Sequence, residues 1–184
     1  MSTWKVSQYA TMMFTAMLLI SGCVSQQKYD ALDAQYQELN RTMSTQIASQ
    51  QMHITRLQNA IKVTVNDDLL FPSGDWQMSA EAQQTISKIV PILAPTQQTK
   101  ILVNGYTDNV PIGPELKRQG ITSNLVLSQK RAENVMQFMI SQGVNPKMVS
   151  AQGLGEADPV ASNDTADGRE QNRRVELTLA GSGN

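Results

Sequence analysis

Apolar side chains recur at alternating steps of three and four residues in the first part of the chain. The stripe begins with Tyr29, Leu32, Tyr36, Leu39 and Met43 and resumes with Ile47, Ile54, Leu57 and Ile61. Residues 24–62 contain neither Gly nor Pro. Four-residue steps through Met43 join the two stretches, as a stutter does in a heptad seam. The pattern predicts a helical spacer.

A narrow apolar stripe on a helix needs a partner along its length. A second copy of the chain is the commonest partner, so we expect a homodimeric coiled coil through residues 29–61. The alternatives are a single helix docked on the following domain and a partly disordered stalk. At a rise of 1.5 Å per residue, an extended helical spacer would hold the domain tens of ångströms from whatever anchors its start.

The pattern changes near Val63, where a compact domain is predicted to begin. Residues 61–71 alternate and then become apolar, which predicts a strand that ends at Pro72. Ser79 is the predicted N-cap of a helix. Its buried stripe consists of Ala82, Ile86, Ile89, Val90 and Leu93. Residues 100–106 read as a second strand, and their near-continuous apolar run is typical of a central position in a sheet.

A second helix is predicted from Ser123 or Asn124 to about Ser141, where Gly143 ends it. A short strand at 148–152, a long loop and an alternating strand at 173–180 complete the domain. The order β-α-β-α-β-β predicts an α+β two-layer sandwich, in which a mixed sheet carries both helices on one face. The helical spacer precedes this sandwich.

The first residues predict export. One cation, Lys5, precedes an apolar run at 10–20, which is shorter than a bilayer span and fits the h-region of a signal peptide. The run ends in Ile-Ser-Gly-Cys at 20–23, which resembles a bacterial lipobox with Cys23 as the acylated residue. An ordinary signal peptide with an incidental cysteine, or an uncleaved anchor, is the alternative.

These features divide the chain into four predicted parts. Residues 1–22 form a lipoprotein signal peptide, and residues 23–62 hold the acylated cysteine and the helical spacer. Residues 63–180 form the domain, and residues 181–184 form a tail. The lipid at Cys23 would consist of three fatty acyl chains such as palmitate, which makes attachment effectively permanent.

Composition narrows the classes of function. The formal net charge of −1 gives no electrostatic case for nucleic-acid binding. One cysteine and one histidine leave no set of ligands for a thiolate or histidine metal site, so no metal or other cofactor is predicted. No nucleophile with an adjacent base is evident, and we expect a binding protein rather than an enzyme.

Four polar side chains are expected to meet at one edge of the sheet. Asp108 directly follows the second strand, and Asn124 and Arg131 share one helical face with Leu127. Arg173 shares the inward parity of the last strand, whereas Arg174 has the opposite parity. A carboxylate with two guanidinium groups suits a ligand that carries both an amine and a carboxylate. The alternative is that Asp108 and Arg131 neutralise each other as a structural ion pair.

Four stretches together carry a family resemblance: "NGYTDN", "SNLVLSQKRAENV", "GLGEADPVASND" and "GREQNRRVELTL". They resemble the C-terminal peptidoglycan-binding domain of OmpA, Pal and MotB over residues 63–180. The long loop at 109–122 is more similar to the MotB type.

The resemblance implies a ligand, the diaminopimelate of the peptidoglycan stem peptide. By the same resemblance, Asp108 and Arg131 are its principal contacts, and Asn124 and Arg173 match further motif positions. Thr107 and Leu127 are expected to add backbone or wall contacts.

The resemblance also implies a place and a role in a Gram-negative envelope. Val24 stands where Asp would resemble an inner-membrane retention signal, so we expect lipid anchoring in the outer membrane, facing the periplasm. The expected role is a non-covalent tether between outer membrane and peptidoglycan. The alternative is a periplasmic regulatory lipoprotein that sequesters a signalling or motility partner and binds the wall as part of a switch.

Overall fold

The computed structural model describes residues 26–94 and 99–180. The predicted signal peptide, Cys23 and the tail 181–184 lie outside the described residues. Within these residues the helices are α1 (26–42), α2 (Ser44–Ala48), α3 (Asp67–Leu70), α4 (Ala80–Leu93), α5 (Pro114–Arg118), α6 (Asn124–Ser141) and α7 (Ala166–Asn172). The strands are β1 (Met52–Arg56), β2 (Ala60–Asn66), β3 (Lys100–Gly105), β4 (Val149–Gly153) and β5 (Arg174–Ala180).

One mixed sheet organises the molecule, with the strand order β1-β2-β5-β3-β4. Only the β3–β4 pair is parallel among these strands. Inward-facing strand residues such as Val63, Val103 and Leu177 form one core cluster with the buried faces of α4 and α6. The predicted α+β sandwich with both helices on one face is therefore confirmed, with one strand more than predicted.

Local signals placed the two long helices correctly. The Ser79 hydroxyl accepts a hydrogen bond from the backbone N–H of Ala82, and the predicted stripe of α4 is buried. Ser123 caps α6 in the same way through the N–H of Val126. Gly143, just past the end of α6, has a φ of +97°, which glycine adopts without steric cost.

The predicted spacer is partly wrong. Residues 52–56 are strand β1, paired with β2 as a hairpin, so the heptad positions Ile54, Leu57 and Ile61 do not belong to a helix. Upstream, α1 lies on the domain, where Leu32, Leu39 and Met43 are buried in the main core. The alternative of a docked helix is the observed one, because the stripe is covered by the chain's own domain. Consequently α1 does not act as an extended spacer.

The first predicted domain strand is also shorter than expected. It ends at Asn66, and residues Asp67–Leu70 form a helical turn rather than continuing the strand. The N–H of Asp67 still donates to the carbonyl of Arg173, which ties this turn to the start of β5.

The two ends of the sheet are formed by different loops and turns. The pocket end is where β2 and β3 finish and β5 begins. The hairpin end holds the turn 57–59, the start of β3 and the start of β4. The ring of Tyr29, early in α1, lies 4.9 Å from the guanidinium carbon of Arg56, so α1 starts at the hairpin end.

Candidate functional site

An open pocket of about 340 Å³ lies at the pocket end of the sheet. All six residues predicted to contact a ligand line it: Thr107, Asp108, Asn124, Leu127, Arg131 and Arg173. They come from the end of β3, the first half of α6 and the residue before β5. The structure thus brings together side chains that the sequence separates by as many as 66 positions.

Two glycines let α6 lie close to the sheet and so place Arg131 beside the strand ends. A Cβ atom on Gly105 would lie 2.3 Å from the carbonyl oxygen of Ser128, and one on Gly153 would lie 2.3 Å from the backbone nitrogen of Gln129. The N–H of Gly155 donates to the Ser128 hydroxyl at 2.8 Å. Close approach of backbone to backbone at these positions requires residues without a side chain.

Asp108 is held in place by two donors. Its Oδ2 accepts a hydrogen bond from Nη1 of Arg173 at 2.9 Å, and its Oδ1 accepts one from the N–H of Val110 at 3.0 Å. The amide of Asn124 donates to the carbonyls of Asp108 and Val110 and so closes the loop that follows β3. The position of Asp108 at the strand end is as predicted, and its cationic partner is Arg173.

Arg131 has a different partner from the one considered in the sequence. Its Nη1 forms a buried ion pair with Oδ2 of Asp67, and its Nε donates to the carbonyl of Asp75 at 3.0 Å. The ring of Phe71 lies 5.0 Å from the guanidinium carbon. The structural ion pair between Asp108 and Arg131 is therefore wrong. These contacts leave Nη2 as the Arg131 donor that a ligand in the pocket can reach.

Sequence reasoning missed Asp67. The alternating pattern predicts that this residue lies in an extended strand, whereas in the structure the turn α3 directs its carboxylate toward Arg131 on α6. Burial raises the pKa of Asp67 to about 6, against the opposing attraction of Arg131 and Arg173. The sequence does contain an indication of this role, the two consecutive aspartates of "NDDLL". Acidic residues are rarely buried without a partner, so two of them within an otherwise apolar segment point to a buried cation nearby.

The remaining predicted residues complete the walls. The Thr107 side chain is buried, and its Oγ1 has no hydrogen-bond partner among the described residues. Leu127 belongs to a small apolar cluster with Ile112, Leu116 and Ile121, which builds one side of the pocket from the loop before α6. Unpaired buried hydroxyl groups are uncommon in folded proteins, and one in a pocket wall fits a site that receives a polar ligand or water.

The other polar residues near β5 have structural roles. Asn172 accepts hydrogen bonds from the N–H groups of Val160 and Ala161, and Arg169 donates to the carbonyl of Asn163. Both hold the preceding loop, and Arg169 also lines the pocket. Arg174 lies on the opposite face of the sheet, against Tyr106 and Glu176.

Across the described ranges 26–94 and 99–180, no helix has the length and apolar character to cross a membrane. The same residues contain no cluster of three or more acidic, histidine or cysteine side chains that could hold a metal ion.

Comparison with known proteins identifies the family of the chain and solved structures with a similar fold. The model of the OmpA family matches residues 70–173. The chain is 35% identical over 127 residues to "Probable lipoprotein YiaD" of Escherichia coli (strain K12), covering 69% of this chain and 54% of that protein. It is 32% identical over 123 residues to "Peptidoglycan-binding protein ArfA" of Mycobacterium tuberculosis, covering 67% of this chain and 35% of that protein.

Among solved structures, the cell wall anchor of the T6SS from Pseudomonas aeruginosa has a TM-score of 0.71 at 30% identity. The match covers 78% of this chain and 97% of that one. The chain spans about half the length of the first curated relatives that it matches. The similarity therefore concerns the domain rather than those whole proteins.

Proposed function

The chain belongs to the OmpA family, and from this premise we propose that it is a lipid-anchored envelope protein that binds peptidoglycan without a covalent bond. In this role it tethers the outer membrane to the cell wall. The observation that carries the proposal is the single pocket lined by Asp108, Arg131 and Arg173, with Thr107 beside them. Relatives in the same family are named as a peptidoglycan-binding protein and a cell wall anchor.

The proposed ligand is the diaminopimelate of the stem peptide, whose side-chain end carries both an amine and a carboxylate. Its ammonium group would bind the carboxylate of Asp108, and its carboxylate would bind Nη2 of Arg131 and the partly exposed Arg173. Charge-assisted hydrogen bonds of this kind are stronger than neutral ones, and the planar guanidinium group matches a carboxylate.

The ion pairs already present fix the positions of these groups. Asp67 and the carbonyl of Asp75 orient Arg131 before a ligand arrives, so little side-chain entropy is lost on binding. The Arg173–Asp108 bond is more exposed, and a zwitterionic ligand would insert between its two groups and bind both. The proposal thus assigns orientation to Asp67 and ligand contact to Asp108, Arg131 and Arg173.

The proposed anchor is the acylated Cys23, after removal of residues 1–22. Residues 181–184 remain a proposed tail. The relative YiaD is named as a probable lipoprotein, in agreement with this assignment. The tertiary contacts of α1 and β1 extend the proposed binding domain upstream of residue 63, to residue 26 at least.

The test is sedimentation of the full chain with purified sacculi. Asp108→Asn preserves shape and removes the charge that the ligand ammonium needs, so we expect at least about a tenfold loss of binding. Glu156→Gln is the matched control, because Glu156 is exposed at the same end of the molecule and does not line the pocket. Its binding should equal that of the wild type.

Arg131 is a poor first target, because its removal leaves Asp67 buried without a partner and threatens the fold. Thermal unfolding of Asp108→Asn checks that the variant is folded. Full binding by folded Asp108→Asn would overturn the proposed site, and release of soluble muropeptides by the wild type would overturn a binding role.

A further inference from the structure

The two ends of the molecule carry opposite charge. In the described segments at the hairpin end, residues 56–60, 99–100 and 141–148, the charged residues are Arg56, Lys100 and Lys147, with no Asp or Glu. In the segments around the pocket, residues 67–79, 106–123 and 154–173, acidic residues outnumber basic ones by more than two to one. A net charge of −1 hides this separation.

The lysines of the hairpin end are available to a partner. Lys28, Arg56, Lys100 and Lys147 form no ion pair with a carboxylate among the described residues. Lys100 and Lys147 are exposed, and they lie at the starts of the neighbouring strands β3 and β4. Arg56 differs from these lysines, because its Nη1 donates to the carbonyls of Leu57 and Gln58 and its Nε and Nη2 are buried. It therefore holds the hairpin turn.

Two large side chains with apolar surface stand beside these cations. Leu57, at the hairpin turn, is 40% exposed, and Tyr29 is 57% exposed. A tyrosine and a leucine flanked by Lys and Arg form the combination that favours the interface between water and lipid headgroups.

The predicted lipid attachment point is close to this end. Cys23 precedes the described start of α1 at residue 26 by three residues, and three residues span at most about 11 Å even when fully extended. Since α1 starts at the hairpin end and is docked on the domain, an acylated Cys23 would hold that end near the lipid surface.

We propose that the hairpin end, comprising Lys28, Tyr29, Leu57, Lys100 and Lys147, docks on the surface of an anionic phospholipid bilayer and directs the ligand pocket away from it. This inference rests on the proposed lipid anchor. Lys and Arg side chains near an anionic lipid surface are attracted to it. Asp30, the residue after Tyr29, and Asp33, about one turn beyond Tyr29, oppose the attraction.

In this orientation the docked helix α1 fixes the position of the domain relative to the membrane, which a flexible spacer could not do. The pocket lies at the opposite end of the sheet from the lipid-facing surface, so a bound wall peptide and the membrane are held on opposite sides of one rigid domain. The separation between them is then fixed by the length of the domain.

The test uses the full chain reconstituted into vesicles of phosphatidylcholine alone or with phosphatidylglycerol, whose headgroups carry a nitroxide quencher. A fluorescent residue is placed at position 58, in the hairpin turn, or at position 156, at the pocket end. With phosphatidylglycerol, we expect quenching several-fold stronger at position 58 than at position 156. The triple variant Lys28→Gln, Lys100→Gln, Lys147→Gln should lose most of that difference.

The matched control removes three cations elsewhere, with Lys117→Gln, Arg118→Gln and Lys130→Gln, and should behave as the wild type. Equal quenching at both positions, or a difference that survives the first triple variant, would overturn the proposed orientation. Flotation of the chain with the vesicles tests the lipid anchor separately. A chain that does not float with them would overturn both the proposed anchor and the proposed orientation. Sedimentation with sacculi reports the pocket, and the first triple variant should retain it.

Discussion

The ion pair between Arg131 and Asp67 explains why a guanidinium group lies on the buried face of a helix. Both side chains are less than one-tenth exposed, and the pair is oriented by the carbonyl of Asp75 and the ring of Phe71. Burying two charges is costly even when they are paired. The raised pKa of Asp67 reflects this cost, because burial destabilises its charged form. In the proposed site, the pair holds Arg131 in a fixed geometry for the ligand.

We predict that this cost is visible in the pH dependence of stability. The pKa of Asp67 is about 6 in the folded state against an ordinary value of 3.8, so its protonated form favours folding. That contribution is complete below pH 3.8 and is lost as pH rises through about 6. Asp67→Asn has no titrating group at this position. Its free energy of unfolding should therefore rise relative to that of the wild type by roughly 2 kcal/mol between about pH 4 and about pH 7.5.

Urea unfolding at the two pH values measures this difference. Asp68→Asn is the matched control, because Asp68 is the next residue and its side chain is 64% exposed to water. Its stability should follow that of the wild type much more closely. Parallel stabilities of the wild type and Asp67→Asn at both pH values would contradict the account of the pair.

The docked helix α1 is the element on which sequence and structure differ most. Its stripe has the spacing of a coiled-coil seam, but Leu32, Leu39 and Met43 are buried against α4 and the sheet. Gln35 also donates to the carbonyl of Ile92, near the end of α4. An amphipathic helix gains the same burial from its own domain as from a second copy, so spacing alone does not identify the partner.

We predict that Leu39→Ala destabilises the chain by about 2–5 kcal/mol, because Leu39 is fully buried in the core. Thermal unfolding should give a midpoint that is independent of protein concentration, as expected for a contact within one chain. Leu125→Ala is the matched control, since Leu125 is 57% exposed, and it should change stability little. A midpoint of the wild type that rises with concentration would instead support a dimeric seam.

The helices and the position of Asp108 could be predicted from sequence because local residue patterns determine them. The features that depend on contacts between distant parts of the chain could not be predicted. Ser79 and Ser123 cap their helices through bonds to residues three positions away, which a sequence displays directly. Asp67 meets Arg131 across 64 positions, and only the end of β2 at Asn66 makes that contact possible. Likewise Met52 and Ile54 fit both a helix and a strand, and the pairing with β2 decides between them.

At the scale of the whole molecule, the sheet separates two surfaces with different tasks. Its pocket end gathers Asp108, Arg131 and Arg173 from three elements, and its hairpin end carries exposed lysines beside Tyr29 and Leu57. Strand ends collect ligand-binding loops because the regular structure beneath them is rigid. In the proposed function the same rigidity holds the wall peptide and the membrane on opposite sides of the domain.

The most direct measurement is sedimentation of the full chain with sacculi whose diaminopimelate carboxyl groups are free or amidated. Amidation removes the negative charge proposed to bind Arg131 and Arg173 and leaves the rest of the wall unchanged. We predict at least about a tenfold weaker binding to the amidated sacculi, which corresponds to about 1.4 kcal/mol. Equal binding to both would contradict recognition of the diaminopimelate zwitterion by this pocket.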